Sequence, residues 1–229
     1  MEDLINRFQK ILDRIANAAK QAGRNPQSVR LVAVSKTQPF EAIRELYQAG
    51  HRDFGENYVQ ELLEKAKQAQ AEGLSELRWH FVGHLQTNKV KALLPVVSVI
   101  HAVDSVKLAA EISKRSDRDV QIFISVNLDS QDSKSGIQIS ELRKIVQEIA
   151  TLPRIQILGL MCIPDPNRPG GLRDAFKKTA DLQGELRAFT AGRLSMGMTS
   201  DFEEAIAEGA SEVRVGSAIF GERSPLKRV

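Results

Sequence analysis

The sequence has a single cysteine, no long apolar run and little charge bias. Cys162 is alone among 229 residues, so an internal disulfide is excluded, and its apolar surroundings favour a buried thiol in a reducing cytosol. The longest apolar stretch, near residues 92–100, is interrupted by Pro95, and the chain does not open with a basic and then apolar segment. We therefore predict a cytoplasmic protein that is neither inserted into a membrane nor exported.

Charged residues of both signs are mixed along the chain. The 32 lysine and arginine residues are scattered among 29 acidic residues, for a formal net charge of +3. This pattern is typical of a solvated surface and argues against a nucleic-acid partner. A chain of this length with 42% hydrophobic residues can bury one sizeable core. We predict a single domain over residues 1–229, and the lack of an exposed apolar tract favours a monomer.

Hydrophobic periodicity predicts an opening helix over residues 2–22, followed by strands that alternate strictly with helices. Such alternation predicts parallel strands joined by right-handed crossovers. Eight units of this kind close into a barrel, whereas an open doubly wound sheet usually stops at about five to seven strands. We predict an α/β fold, a single (β/α)8 TIM barrel with an extra amino-terminal helix. The strands are expected near residues 30–35, 53–55, 79–83, 97–103, 120–127, 155–162, 193–197 and 212–216, and the helices near 39–49, 57–71, 87–94, 105–116, 139–150, 171–190 and 201–208.

Lys36 is unusual because it ends the apolar run of residues 31–35. Partial burial disfavours the ammonium form, so a lysine in this place can present a neutral amine that condenses with an aldehyde. The structural alternative is a lysine that ends its strand by extending into solvent. Chemistry in barrels gathers at the carboxyl ends of the strands, where Lys36 is expected to lie.

The segments after the last two predicted strands are rich in glycine and hydroxyl groups. Residues 197–200 open a helix, and Gly216 and Ser217 follow the eighth strand. Loops at these two places often bind phosphate through backbone N–H groups. The spacing of Ser200 and Glu203 also fits a capping box, which needs no ligand. The two interpretations are compatible, and both stay open at this point.

Arg214 lies inside the apolar eighth strand and is expected to face the barrel mouth together with Gly216. A buried guanidinium needs an acceptor, which could be a structural ion pair or the ring nitrogen of a ligand. A lysine for an aldehyde, a cradle for a phosphate and an arginine for a ring nitrogen together describe pyridoxal 5′-phosphate (PLP).

Six segments, in this order along nearly the whole chain, resemble the pyridoxal phosphate homeostasis proteins (the YggS/PROSC group), which are similar to the amino-terminal barrel of alanine racemase. The segments are residues 32–37 (VAVSKT), 55–57 (GEN), 80–89 (HFVGHLQTNK), 159–161 (GLM), 194–198 (LSMGM) and 213–221 (VRVGSAIFG). The resemblance implies a barrel of the alanine racemase N-terminal type. It also implies that Lys36 forms a Schiff base with PLP and that Arg214 faces the pyridine nitrogen. By the same resemblance, the phosphate is held by Ser200, Gly216 and Ser217, and the pocket is lined by Asn57 and Met198.

The sequence departs from the family pattern at Gln38. It also leaves two assignments undecided, the hydroxyl that bonds the phosphate and the role of Lys134. Gln38 stands where many relatives carry a second lysine, two places after the Schiff-base lysine. Thr199, Ser200 and Ser217 all offer a hydroxyl to the phosphate. Lys134 matches a second lysine position of the family and is a possible secondary contact, although from the sequence alone it is a loop lysine.

The resemblance implies a protein that holds PLP as an internal aldimine and takes part in its intracellular homeostasis and delivery to apo-enzymes, without robust catalysis. An arginine at the ring nitrogen donates to it and leaves the ring unprotonated, which weakens the cofactor as an electron sink. Alanine racemase uses a second domain, for which the eight residues after Gly221 leave no room. One alternative is a PLP-dependent amino-acid racemase, with Tyr58 as candidate base. Another is an aldolase in which Lys36 attacks a sugar-phosphate carbonyl.

We predict no metal site. His80 and His84 are four residues apart, but Gly83 and the β-rich run around them argue against a helix that would align the two rings.

Overall fold

The structure of the protein is a computed structural model that describes residues 3–129 and 136–221. Its nine strands are β1 (Arg30–Val34), β2 (Asp53–Glu56), β3 (Arg78–Phe81), β4 (Val97–Val103), β5 (Val120–Asn127), β6 (Ile137–Gln138), β7 (Ile155–Met161), β8 (Arg193–Ser195) and β9 (Glu212–Val215). Its α-helices are α1 (Leu4–Gln21), α2 (Phe40–Gln48), α3 (Val59–Ala71), α4 (Val90–Leu93), α5 (Val106–Arg115), α6 (Ile139–Ala150), α7 (Gly171–Glu185), α8 (Phe202–Ala207) and α9 (Ser217–Phe220), and two 3-10 turns cover Pro26–Ser28 and Thr87–Lys89.

Eight parallel strands close into a barrel, as predicted. Each pairs with the next barrel strand along the chain, and β9 pairs with β1 to complete the ring. The two-residue strand β6, which the sequence did not predict, pairs with the end of β5 outside the ring. The predicted helix over residues 171–190 ends at Glu185, because the Leu186 N–H turns back to the Gln183 carbonyl at 3.1 Å. The prediction of a (β/α)8 barrel is confirmed.

The opening helix α1 belongs to the helical ring. Asp3 caps it by accepting a hydrogen bond from the Asn6 N–H at 2.7 Å. The last helix, α9, has only four residues, and α1 packs against α8, α9 and α2, which places it where an eighth outer helix would lie. Its apolar stripe is buried. Among the described residues, no helix has the length and apolar character needed to cross a membrane.

The barrel interior is only partly apolar. One small cluster fills part of it: Val99, Ala102, Phe123, Leu158 and Met161. The main apolar core lies between the strands and the outer helices. The rest of the interior holds buried polar side chains, since His101 of β4 contacts Ser195 of β8, a strand three places away around the ring. Buried polar groups need partners, so this interior is an organised hydrogen-bond network.

Candidate cofactor site at the mouth of the barrel

A cavity of about 300 Å³ opens where β1, β2 and β9 end. All seven residues that were predicted to bind the cofactor line it: Lys36, Asn57, Met198, Ser200, Arg214, Gly216 and Ser217. Gln38 and Thr199 line it too, and Val34, Val82 and Ile163 form an apolar wall. Lys134 lies outside the described residues. The carboxyl ends of the strands thus bring residues far apart in sequence to one place.

Lys36 is half-buried and lies two residues after the end of β1. Its neighbour Ser35 is fully buried and donates its N–H to the Gly55 carbonyl of β2 at 2.9 Å. The next residue, Thr37, has a φ of 62°, in the left-handed region that costs a threonine free energy. The chain therefore turns sharply immediately after Lys36. Because this conformation is unfavourable for threonine, contacts with the surrounding structure must stabilise it.

A buried ion cluster holds both neighbours of Lys36. The Lys65 Nζ lies 2.7 Å from each of the Ser35 carbonyl, Glu56 Oε1 and Glu61 Oε1. The Ser35 hydroxyl donates to Glu56 Oε1 at 2.7 Å, and the Thr37 N–H donates to Glu61 Oε1 at 2.6 Å. Burial raises the pKa of Glu56, and Lys65 opposes that rise. The sequence contained one signal for this cluster, the i, i+4 spacing of Glu61 and Lys65 on α3.

The loop between β8 and α8 forms the second side of the cavity. Gly197 has a φ of 91°, and a Cβ there would lie 2.6 Å from the Ala205 Cβ. The carboxylate of Asp201 accepts the Met198 N–H at 2.6 Å. These two constraints set the path of the loop that presents Thr199 and Ser200.

The capping-box interpretation of Ser200 and Glu203 is wrong. Helix α8 begins after Asp201, one residue later than a Ser200 cap requires. The Ser200 hydroxyl lies 3.4 Å from Asp201 Oδ2, while Glu203 Oε1 accepts from the Arg14 Nε of helix α1 at 2.7 Å. An ion pair with a distant helix therefore replaces the local cap.

Gly216 and Ser217 form the third side. A Cβ at Gly216 would lie 3.1 Å from the Val34 carbonyl, so the backbone of β9 approaches β1 closely here. The first hydrogen bond within α9 runs from the Ile219 N–H to the Gly216 carbonyl at 2.9 Å. The N–H groups of Ser217 and Ala218 precede it in the chain. The Ser217 hydroxyl lies 3.4 Å from the Thr199 hydroxyl, which joins this segment to the loop after β8.

Arg214 is buried, and its guanidinium reaches the floor of the cavity. Its Nη1 donates to the Ser195 hydroxyl at 2.6 Å and its Nη2 to the Cys162 carbonyl at 3.0 Å. Both acceptors are neutral, so the direct ion pair that was the structural alternative is not what holds this side chain. A guanidinium has five N–H groups, which leaves donors beyond these two. Burial lowers the pKa of Arg214 from its very high ordinary value.

The family model of the alanine racemase N-terminal domain matches residues 8–224 of the chain. The pyridoxal phosphate homeostasis protein of Aquifex aeolicus is 42% identical over 224 residues, which cover 95% of this chain and 97% of that protein. That of Escherichia coli K12 is 36% identical over 240 residues, which cover both chains completely. The chain belongs to the pyridoxal phosphate homeostasis protein family.

Solved structures agree with this membership. PipY of Synechococcus elongatus PCC7942, whose structure has PLP bound, is 38% identical with a TM-score of 0.75, over 90% of this chain and all of that one. Alanine racemase from Corynebacterium glutamicum is 18% identical with a TM-score of 0.65, over 95% of this chain and 63% of the racemase. The second likeness shows the shared barrel fold alone.

His80, His84 and Tyr58 lie at three separate places in the structure. His84 is exposed at the mouth beside Asp104, at 3.4 Å, whereas the His80 ring is buried in the barrel. His80 and His84 therefore share no site. Tyr58, the candidate base of a racemase, is 54% exposed and does not line this cavity.

A second cavity of about 370 Å³ adjoins the first and shares Asn57, Val82 and Ile163 with it. His84 and Asp104 line it. Sequence reasoning missed this cavity. It also missed the His80, His101 and Glu212 cluster, whose ring nitrogens and carboxylate lie within 4.8 Å of one another. Three strands contribute to that cluster, so no local spacing in the sequence could indicate it.

Proposed function

We propose that this protein binds PLP in the cavity at the barrel mouth, with a covalent Schiff-base link to Lys36, and serves to hold and deliver the cofactor. The observation that carries the proposal is that one cavity combines an amine, a buried guanidinium and a hydroxyl-rich loop pair. These three features match the aldehyde, the ring nitrogen and the phosphate of PLP. The PLP in the structure of PipY, a relative of similar length, gives independent support.

The relative depths of Arg214 and Lys36 in the barrel support the proposal. Arg214 lies beside Val32 in the pairing of β9 with β1, deeper in the barrel than Gly216 and Lys36. The aldehyde of PLP supplies a carbon that a neutral amine can attack, and Lys36 is the half-buried amine at the rim. The hydroxyl groups of Thr199, Ser200 and Ser217 line the same cavity and can donate to the phosphate.

We propose that the protein has no robust catalytic activity. Arg214 is held as a permanent donor, which suits an unprotonated ring nitrogen and a weak electron sink. Among the described residues that line the cavity, none besides Lys36 has a side chain suited to act as a base near neutral pH. A racemase needs a base on each face of its substrate. Incubating the PLP-loaded protein with amino acids in deuterated water should give no exchange at Cα at enzymatic rates.

The delivery role, the compartment and the oligomeric state belong to the same proposal. We propose a cytoplasmic monomer that transfers PLP to apo-enzymes. Cys162 is buried, and burial raises the pKa of its thiol to about 11, so it is an inert thiol that suits a reducing compartment. Transfer is measured by the activity that an apo-enzyme recovers from the loaded protein, and mass in solution by light scattering.

Borohydride reduction followed by peptide mass mapping tests the covalent link. The wild-type protein with added PLP should give a pyridoxyl adduct on Lys36, and Lys36→Ala should lose the adduct and the bound yellow chromophore. Lys91→Ala, on the exposed side of α4, is the control and should keep both. An adduct on another lysine, or an undiminished chromophore in Lys36→Ala, contradicts the assignment. A wild-type protein that takes up no PLP overturns the proposed function.

A further inference from the structure

A continuous chain of hydrogen bonds crosses the barrel interior from the cavity to the opposite end. Arg214 Nη1 lies 2.6 Å from the Ser195 hydroxyl, which lies 2.8 Å from His101 Nδ1. His101 Nε2 lies 2.9 Å from His80 Nδ1, and His80 Nε2 lies 2.9 Å from Asp53 Oδ1. The five residues belong to five different strands, and each is at most 5% exposed.

Asp53 sets the direction of the hydrogen bond that it shares with His80. Arg78 donates to both of its carboxylate oxygens, at 2.8 and 2.5 Å. Burial raises the pKa of Asp53, but the hydrogen bonds from His80 and Arg78 outweigh burial and hold this pKa well below its usual range. An ionised carboxylate only accepts, so His80 Nε2 carries the hydrogen and donates. The other ring nitrogen of His80, Nδ1, faces His101 Nε2 at 2.9 Å, so one hydrogen lies between these two nitrogens.

The remaining directions follow one by one. Glu212 Oε2 lies 3.5 Å from His101 Nε2 but 4.0 Å from His80 Nδ1, which favours the hydrogen on His101 Nε2, so His101 donates and His80 Nδ1 accepts. Burial holds the pKa of His101 well below its ordinary value, so the ring is neutral and its Nδ1 accepts. The Ser195 hydroxyl therefore donates to His101, and its oxygen accepts from Arg214. Every donor points towards Asp53, and no two donors face each other.

The same atoms rule against a metal ion as the purpose of the cluster. The His80 and His101 nitrogens that a metal would take are bonded to each other, at 2.9 Å. Glu212 is already paired with Arg193, at 2.5 Å, and Arg30 lies 3.8 Å from the same carboxylate oxygen. A divalent cation would have to replace the histidine pair and sit among guanidinium groups, which repel it.

We propose that Ser195 and His101 are positioning residues: through this chain they hold the Arg214 guanidinium in the orientation that recognises the ring nitrogen of PLP. The inference rests on the proposed function. Neither residue lines the cavity, so each acts through Arg214. Without the Ser195 hydroxyl, Nη1 loses an acceptor inside the barrel, and the guanidinium is free to turn away from the ligand.

Substitution Ser195→Ala tests the proposal, because it removes one hydroxyl and little volume. The probes are PLP and its 1-deaza analogue, which has carbon in place of the ring nitrogen. Loss of a buried hydrogen-bond partner should weaken PLP binding about tenfold, and binding of the deaza analogue should not change. Ser195→Thr, which keeps the hydroxyl, should restore PLP binding. Ser113→Ala removes another buried hydroxyl, bonded to the Pro153 carbonyl on the outer layer, and should change neither affinity.

The outcomes separate the two proposals. If the wild-type protein does not bind PLP, the proposed function fails. If it binds PLP but Ser195→Ala weakens both ligands equally, or neither, the positioning role is wrong.

Nitrogen-15 spectra of the histidine rings in the unloaded wild-type protein give a readout that does not depend on the ligand. In both buried rings the hydrogen should lie on Nε2 and not on Nδ1. A hydrogen on His101 Nδ1, or a shift of either ring on addition of Zn²⁺, would overturn the chain of donors.

Discussion

Lys65 donates a hydrogen bond of 2.7 Å to the carbonyl oxygen of Ser35, the residue directly before Lys36. The same ammonium group contacts Glu56 and Glu61, and Glu61 also accepts the N–H of Thr37. Both peptide units that flank Lys36 are therefore tied to one buried cluster. A reactive side chain at a strand end gains a defined position when its own backbone is held in this way.

Lys65→Met should destabilise the protein by about 3–5 kcal/mol, because the fully buried carboxylate of Glu56 loses its cation. The free energy of unfolding in urea measures this change. In the folded fraction, Lys36 should also react with PLP more slowly, since Ser35 is no longer held from that side. Stopped-flow absorbance of the imine band measures that rate.

Two variants serve as controls for this experiment. Lys67→Met, at an exposed position of the same helix, should change the free energy of unfolding by less than about 0.5 kcal/mol. The double variant Glu56→Gln with Lys65→Met should recover much of the lost stability, because no unpaired charge stays buried. If Lys65→Met is as stable as the wild type, the cluster does not support the site as argued.

Gly197→Ala should destabilise the protein by about 2 kcal/mol or more, because the position has positive φ and the new methyl group meets packed atoms. The added Cβ would lie 2.6 Å from the Ala205 Cβ and 2.9 Å from the Phe202 Cα. Gly184→Ala is the matched control, since Gly184 lies in α7 with no atom within 4 Å of the added carbon. That variant should be more stable than the wild type by about 0.5–1 kcal/mol. Equal effects of the two substitutions in thermal unfolding would contradict this account of the loop.

The barrel and the meeting of Lys36 and Arg214 at one cavity were predictable because both follow from the order of strands and helices along the chain. Alternating strand and helix patterns define parallel pairing, and parallel pairing places all strand ends at one rim. Lys36 and Arg214 therefore lie at one cavity although 178 positions separate them (214 − 36). Their roles towards PLP stay predictions, which the experiments above address.

The supporting contacts were not predictable, because they depend on distances across the barrel. Nothing in the sequence near His101 indicates that Ser195, from a strand three places away around the ring, will contact it. The capping-box prediction at Ser200 failed for the same reason. Glu203 forms an ion pair with Arg14 of α1, a helix far away in the sequence, and the spacing of Ser200 and Glu203 does not indicate that partner. Local patterns thus indicated Lys36, Arg214 and the two glycine- and hydroxyl-rich segments, whereas Asn57 and Met198 were implied by the family resemblance. The contacts that hold these residues in place required the structure.

Ser200→Ala and Ser217→Ala should each weaken the binding of PLP but not of pyridoxal, which has no phosphate. Both hydroxyls line the cavity, and a hydrogen bond to a charged group contributes about 1.5–3 kcal/mol, so the loss should be roughly tenfold to a hundredfold for a hydroxyl that bonds the phosphate. Thr199→Val in the same assay decides whether the third hydroxyl takes part. Titration calorimetry with the two ligands measures the affinities. An equal loss for PLP and pyridoxal would show that the hydroxyl acts on the loop and not on the phosphate.

His51 should make the folded protein sensitive to mild acid. Burial lowers its pKa to about 4, its Nε2 lies 2.8 Å from the Asp53 carbonyl, and the Phe8 and Phe54 rings pack on either side. Between its unfolded pKa near 6.5 and its folded pKa, the unfolded chain binds a proton that the folded chain does not, so stability falls as pH falls through this range. Moving from pH 7 to pH 5 should cost the wild type roughly 1–2 kcal/mol more than it costs His51→Gln, whose amide can still donate to the carbonyl but does not titrate. Urea unfolding at the two pH values measures the difference, which cancels the carboxylates common to both proteins. Identical pH dependence in the two proteins would mean that His51 is already protonated in the folded state at pH 5.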